Sequence, residues 1–275
     1  MSASTEIQVT SRPAARRRIQ LSWKQKVFLI TLANLACFFS LWELVTTYGN
    51  VPNAFLPKFS LILGEFPLMM KEGILLPNLT FSVVNYLIGL AIGIAIGLPL
   101  AFAIGGIKIV DRILSPYLWA LFSTPRIVLV PLVFLWFGIT NQARLVIVAI
   151  SVLPSFVVVV MEGIKTTNSS YLRVARTFGA KRWKLFKNVL IPASIPWIAI
   201  GLRQGMLRGL IGLYVGELFI TTNGLGSILS LARIRFDSAR MFAVLFLFVG
   251  FAVTTLALTR ILETRMTKWK ASVEV

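Results

Sequence analysis

The sequence predicts an all-α, polytopic membrane protein of six transmembrane helices. Of its 275 residues 57% are hydrophobic and only 14% are charged, with mean hydropathy +0.82. A soluble domain carries roughly 25% charged residues. Six apolar stretches are long enough to cross a hydrocarbon core, which takes about 20 helical residues. The basic residues collect in the gaps between those stretches.

Residues 1–26 are polar and basic, with Arg12, Arg16, Arg17, Arg18, Lys24 and Lys26, and read as a disordered tail. Val27 to Thr47 is apolar except for Glu43. It exceeds the roughly 7–15 residues of a signal-peptide core, and no small-residue cleavage site follows, so it predicts helix one. Pro52, Pro57, Pro67 and Pro77 make 48–77 a loop, with a short helix near 60–71. Gly73 to Ile107 holds no charge and predicts helix two near 79–104. Lys108 and Arg112 mark a turn. Helix three is expected from about 115 to 138, through Pro116, Pro125 and Pro131, and helix four from about 144 to 163. Helix five covers 193–220. Asn223-Gly224-Leu225-Gly226 opens a loop over 221–240, and helix six covers 241–261.

Nineteen basic residues then fall in the gaps on one side and six on the other. The positive-inside bias places both termini and the 162–188 gap in the cytoplasm. The division that follows is a basic tail at 1–26, a six-helix membrane domain at 27–262 with a polar loop at 164–192, and a second tail at 263–275.

The net charge of +18 does not signal nucleic acid, because topology accounts for where the cations lie. The single cysteine, Cys37, sits in an apolar run, so a disulfide framework or cysteine metal site is not expected. The chain has no histidine, the commonest general base and metal ligand, and no G-x-x-x-x-G-K-[ST] phosphate loop. An enzyme, or an ATPase in its own right, is therefore not expected.

Tyr171 to Pro192, YLRVARTFGAKRWKLFKNVLIP, is too polar to span a bilayer yet is patterned to fold. Tyr171, Val174, Ala175 and Phe178 recur at i, i+3, i+4 and i+7, one apolar stripe on a short helix. Gly179 can close that helix in a left-handed cap. Trp183, Phe186 and Leu190 start a second stripe. Such stripes need cover, from lipid headgroups or from a partner protein. Gly89, Gly93 and Gly97, and again Gly201, Gly205 and Gly209, repeat every fourth residue, which favours close helix packing.

Ionisable residues at membrane depth are costly and call for a role. Glu43 lies near the end of helix one and reads as structural. Arg126, Arg203, Arg208 and Glu217 form a positive excess that would suit the path of an anion. The competing roles are snorkelling or a carbonyl partner for Arg126, and inter-helix bonding for Arg203 and Arg208. Arg203 and Glu217 lie about 21 Å apart along one helix, so they cannot pair within it. Arg233, Arg235 and Arg240 would sit at the outer rim.

The stretch from Ala175 through Gly179 to Val189-Leu190-Ile191-Pro192 resembles the EAA signature of permease subunits in bacterial ATP-binding-cassette importers: E-A-A, three residues, G, nine residues, I-x-L-P. Leu56-Pro57, Pro131-Leu132, Trp136-Phe137-Gly138, Gly201-Leu202-Arg203, Glu217-Leu218 and Gly224-Leu225-Gly226 are similar to the branch that handles nitrate, taurine, alkanesulfonates and bicarbonate. Most of residues 27–265 is covered. Arg173 stands where the signature has Glu, and Val174 where it has Ala.

The resemblance implies a type I importer permease in the bacterial inner membrane, working as a homodimer with a substrate path along its interface. It implies two cytoplasmic ATPase subunits, which bind the ATP and Mg, this chain binding no cofactor or metal, and an external substrate-binding protein. Tyr171, Leu172, Arg173, Val174, Ala175, Arg176, Phe178 and Gly179 would form the helix that couples to the ATPase. The rim arginines Arg233, Arg235 and Arg240 would dock the binding protein. The solute is expected to be a small anion such as a sulfonate, nitrate or taurine. The alternative is a stand-alone secondary transporter or channel, with the 171–190 stretch lying on lipid.

Overall fold

The computed structural model describes residues 22–167, 169–220 and 222–266, apart from the side chains of Lys24, Ser169, Leu172 and Arg182. Most of the expected N-terminal tail, and the tail beyond 266, lie outside the described residues.

Helix α1 (Trp23–Tyr48) opens on a reciprocal cap. The Gln25 N–H donates to the Ser22 hydroxyl and the Ser22 N–H to the Gln25 side chain, at 3.4 and 2.9 Å. Apolar residues surround α1 and most are exposed, as suits a helix facing lipid. One stripe is used for packing. Phe39 stacks on Phe59 at 4.2 Å, and Trp42 Nε1 donates to the Pro57 carbonyl at 3.0 Å. Helix α2 (Phe59–Lys71) starts where the Glu43 carboxylate accepts from the Ser60 N–H and hydroxyl, at 3.1 and 2.8 Å. A carboxylate on α1 therefore caps a helix N-terminus, where negative charge is favoured.

Helix α3 (Leu75–Gly106) is followed after Ile107 by α4 (Lys108–Ser123). The single helix expected over 115–138 is not formed, and the turn expected at Lys108–Arg112 lies inside α4. The break comes at Thr124, held extended at φ −71° and ψ 129°. Proline at the next position disfavours the helical conformation there. A 3₁₀ turn (Arg126–Leu129) leads into α5 (Val130–Phe137), bent by 100° from α4.

Helix α6 (Asn141–Lys165) is capped by the Thr140 hydroxyl, which accepts from the Ala143 N–H at 3.4 Å. Helix α7 (Ser169–Thr177) and the short α8 (Arg182–Leu185) follow. A π turn (Phe186–Leu190) runs from α8 into α9 (Ile191–Phe219), so Trp183 to Phe219 forms one long rod. Helix α10 (Leu225–Ile234) occupies what the sequence suggested was a loop, and α11 (Ser238–Met266) closes the described chain. Among the described residues five helices are long and apolar enough to cross a membrane, or six if α4 and α5 count as one broken span.

Helix α6 is the axis of the bundle, packed between α3 and α9. Its buried Val148, Val152, Phe156 and Val160 meet glycines on both sides. A Cβ added at Gly89, Gly93 or Gly97 would lie 2.6–3.0 Å from Val148, Val152 or Phe156. One added at Gly201, Gly205 or Gly209 would lie 2.8–3.2 Å from Val160 or Val152. The glycine rows bring three backbones together around one β-branched helix. That contact supplies dispersion where lipid removes the hydrophobic drive. Across α6, Tyr86 on α3 donates its hydroxyl to the Met206 carbonyl on α9, at 2.9 Å. A second core joins α2, α10 and α11 through Ile62, Met69, Leu225, Ile228, Val244 and Phe248.

Candidate functional site

At the α7 end, the helix closes through two bonds. The Gly179 N–H donates to the Arg176 carbonyl at 2.9 Å, and the Ala180 N–H to the Ala175 carbonyl at 3.0 Å. This is a Schellman cap, and it needs the left-handed Gly179, at φ +77°. The sharp turn directs the chain straight into α8. Along α7, Tyr171, Val174 and Phe178 are 62%, 56% and 85% exposed. Tyr171, Val174 and Ala175 line one wall of a cavity of about 720 Å³, whose far wall is Asn188, Val189, Pro192, Pro196 and Trp197 at the start of α9. Arg176 faces away, lining a second crevice with Lys108 and Phe186. Arg173 is exposed and donates to the Ser170 hydroxyl at 3.2 Å. The base beneath is fixed by Lys165, which bridges Asp111 at 2.8 Å and Glu162 at 3.2 Å.

The four ionisable residues expected along a path are not gathered in one place. Arg126 stands in the 3₁₀ turn at the α4–α5 break and donates to the Ser155 hydroxyl midway along α6, at 3.0 Å; its Nε is buried without a partner. Arg208, exposed on α9, lies close enough for the two charges to act on each other. Arg203 pairs with Glu263 on α11 at 3.7 Å, the inter-helix bond that was its alternative.

Glu217 is 0% exposed, so it lines no aqueous path within this subunit. Its carboxylate accepts from the Ser82 hydroxyl at 2.6 Å and from the Gly226 N–H at 2.9 Å, tying α9 to α3 and α10. Beside it lies Arg144, 1% exposed, which the sequence reading counted as an ordinary loop cation. Arg144 donates to the Ile220 and Asn223 carbonyls at 3.3 and 3.2 Å, and stands over the Phe81 ring at 4.8 Å. A signal was available: Arg144 falls in the first turn of α6, where the helix dipole disfavours a cation, so other groups must hold it.

The rim arginines divide. Arg233 and Arg235 are exposed on α10 and just beyond it. Arg240 is not available for docking. It sits on α11 with its guanidinium on Glu65 at 2.8 Å and on Glu72 at 2.9 and 3.1 Å, with Asp237 at 3.6 Å. It clamps α2 to α11, and carboxylates of its own chain occupy its donors. Among the described residues, no group of three or more His, Cys, Asp or Glu is placed to hold a metal.

The chain is similar to known transport proteins. At 26% identity, the chain matches the permease SsuC of Bacillus subtilis, named for aliphatic sulfonates transport, covering 87% of each. It matches the riboflavin transport system permease RibX of Chloroflexus aurantiacus at 26%, covering 94% of this chain and 96% of RibX. It matches the taurine transport system permease TauC of Escherichia coli at 24%, with the same coverage. In fold it is similar to the MetNI methionine ABC transporter solved in inward-facing conformations, with TM-score 0.62 and 19% identity over 73% of this chain and 98% of that one. Residues 93–268 match the family described as the binding-protein-dependent transport system inner membrane component. The chain belongs to that family: it is the membrane permease subunit of an ABC importer, a transport subunit and not an enzyme.

Proposed function

We propose that two copies of this chain form the membrane core of an importer that brings a small anionic solute, a sulfonate such as taurine, into the cell. Helix α7 faces the cytoplasm and seats an ATPase subunit, which binds the ATP and Mg. The α10 end faces outward and receives a binding protein, with Arg233 and Arg235 at its rim. The loop charge bias supports this orientation.

The anion reading is carried by Arg126. An interrupted helix at membrane depth is tolerated where its backbone is buried in protein or lines a cavity. Here the interruption holds a half-buried cation, and a second one, Arg208, lies near enough for the two charges to repel. Two like charges held together lower their mutual repulsion by sharing an anion. The names of SsuC and TauC point the same way. RibX favours a second reading, a larger heteroaromatic solute.

The test is ATP-dependent uptake by the purified complex in proteoliposomes, with taurine and riboflavin as the solutes. Taurine uptake, lowered about tenfold or more by Arg126→Gln and Arg208→Gln in a complex that still assembles, is the expected result, since a bond to a charged group is worth about 1.5–3 kcal/mol. Wild-type uptake in both variants would overturn the anion path. Riboflavin uptake alone would select the second reading.

A further inference from the structure

The turn that joins α9 to α10 is bonded through both its N–H groups and its carbonyls, by side chains from α3, α6 and α9. Three successive donors at the start of α10 are taken in order. The Gly224 N–H donates to Asn78 Oδ1 at 2.8 Å, the Leu225 N–H to Ser82 Oγ at 2.9 Å, and the Gly226 N–H to Glu217 Oε2 at 2.9 Å. These are the donors that a helix N-terminus leaves without internal partners. On the other polarity, Arg144 from α6 takes the Ile220 and Asn223 carbonyls. Ser82 relays between the two groups, accepting from Leu225 and donating to Glu217 at 2.6 Å.

Such an arrangement is costly. Two ionisable side chains are taken out of water, which costs free energy unless hydrogen bonds hold them there. What the network adds is a fixed geometry. Gly224, at φ +96°, and Gly226 lie so close to Glu217 that neither has room for a Cβ. Helix α10 is thus seated on the end of α9 in one pose. The other face of α10 and the residues after it stay open: Leu231, Arg233, Ile234, Arg235 and Phe236 are all exposed. The rod below this turn runs unbroken from Phe219 to Trp183, beside α7.

We propose that Glu217 and Arg144 are positioning residues for docking of the binding protein. They lock α10 to the end of the rod, so that movement felt at α7 shifts the exposed α10 face, and docking on that face is felt at α7. This rests on the ATPase and binding-protein seats proposed above, and it assigns Glu217 a role outside the solute path.

The test uses the purified complex with its ATPase in nanodiscs, comparing wild type with Glu217→Gln and with Ser82→Ala. Basal ATP hydrolysis, stimulation by the liganded binding protein and melting temperature are measured together. The expected result is stimulation lowered about tenfold, a typical coupling between distant sites, with basal hydrolysis little changed and melting lowered only modestly. Spin labels at Thr177 and Phe236, in a Cys37→Ser background, should change separation between nucleotide-free and ATP-bound states in wild type, and lose that change in Ser82→Ala. Unaltered stimulation in both variants overturns the proposal. So does a parallel fall of basal hydrolysis, stimulation and melting, which would make the network merely structural. If the wild-type complex hydrolyses no ATP, the proposed seats have failed instead.

Discussion

Phe178 and Glu217 lie near opposite ends of the same rod, and each has the surroundings usual for the other. The aromatic ring is 85% exposed, while the carboxylate is completely buried. At the α10 end the chain satisfies its own polar groups. Glu217, Arg144 and Arg240 all have partners within the subunit, and α3, α6, α9 and α11 contribute to holding one short helix. At the α7 end the backbone is well capped, but the side chains are left open. Tyr171, Val174 and Phe178 form an apolar face that no other described residue covers, next to a cavity of about 720 Å³. An end that satisfies itself is built to keep its shape. An end that is shaped but uncovered is built for a partner, in the manner of a helix entering a groove.

The comparison breaks first if the α10 end tolerates change. In Gly226→Ala the new Cβ would stand 2.6 and 2.7 Å from the carbonyl carbon and oxygen of Glu217. Backbone atoms cannot swing aside as a flexible side chain can, so we expect a loss of about 3 kcal/mol, the upper end for overpacking. Thermal unfolding in detergent should show it, and a wild-type melting curve would mean the turn is looser than its bonds suggest. Arg240→Ala acts differently but at the same end. It leaves Glu65, Glu72 and Asp237 facing one another without their shared cation, and we expect a loss of about 2–3 kcal/mol, below that for a fully buried pair. Adding Glu65→Gln and Glu72→Gln to it should restore part of the loss. No recovery in that triple variant would show that Arg240 acts through packing rather than charge.

The α7 end should respond in assembly and not in stability. Phe178→Ala removes an exposed ring, so the melting curve of the isolated subunit should not move. Binding of the ATPase should weaken by about 2 kcal/mol, roughly 30-fold, the effect of losing an aromatic anchor from an interface centre. Affinity measured in nanodiscs checks this. Unchanged affinity would leave the apolar face to lipid.

How far these two ends could be read from the sequence differs for a physical reason. The fold of α7 depends on residues within one or two turns: the spacing of Tyr171, Val174, Ala175 and Phe178 and a glycine at 179 suffice to show a capped amphipathic helix. Glu43, the arginines and Glu217 could be seen as out of place, but their partners come from distant segments. Ser82 is 135 positions from Glu217, and Glu65 is 175 from Arg240. Glu217 was therefore grouped with the path and Arg240 with the rim, although both bond inward. Helix α10 was missed because Gly224 and Gly226 look like a loop, whereas close packing against Glu217 requires glycine there. The break at Thr124–Pro125 could have been read directly, since the residue before a proline resists the helical conformation. The membrane spans were legible in outline, five outright and a sixth if α4 and α5 count as one, because span length is a local property, while the 100° bend arises at the Thr124–Pro125 break.

Arg173 sharpens the comparison at the level of partner choice. It is exposed and fixed only lightly, by the Ser170 hydroxyl, at the place where the family signature has Glu. A reversed charge on a docking helix calls for a reversed charge opposite, so its own ATPase should present an acidic residue there. Arg173→Glu should then weaken assembly with that ATPase about tenfold, chiefly through juxtaposed like charges. Raising the salt concentration should narrow the difference. Unchanged assembly and unchanged substrate-stimulated hydrolysis would show that position 173 faces solvent in the complex.

The smallest expected effect tests the contrast within one kind of substitution. Gly179 and Gly226 are both glycines at turns next to a short helix, one at each end. Gly179 has a left-handed backbone but nothing within 4 Å of an added Cβ. Gly179→Ala therefore meets only the conformational cost of a left-handed alanine, about 1 kcal/mol. The two Schellman bonds can persist, so α7 should fray at its last turn rather than unfold. Hydrogen exchange at the Gly179 and Ala180 amides should quicken severalfold, while the α10 amides keep their protection. Melting should barely move, since the cap supports one short helix and not the core. If Gly179→Ala instead destabilised the subunit as much as Gly226→Ala, the α7 end would be part of the packed structure, and its open apolar face would no longer point to a missing partner.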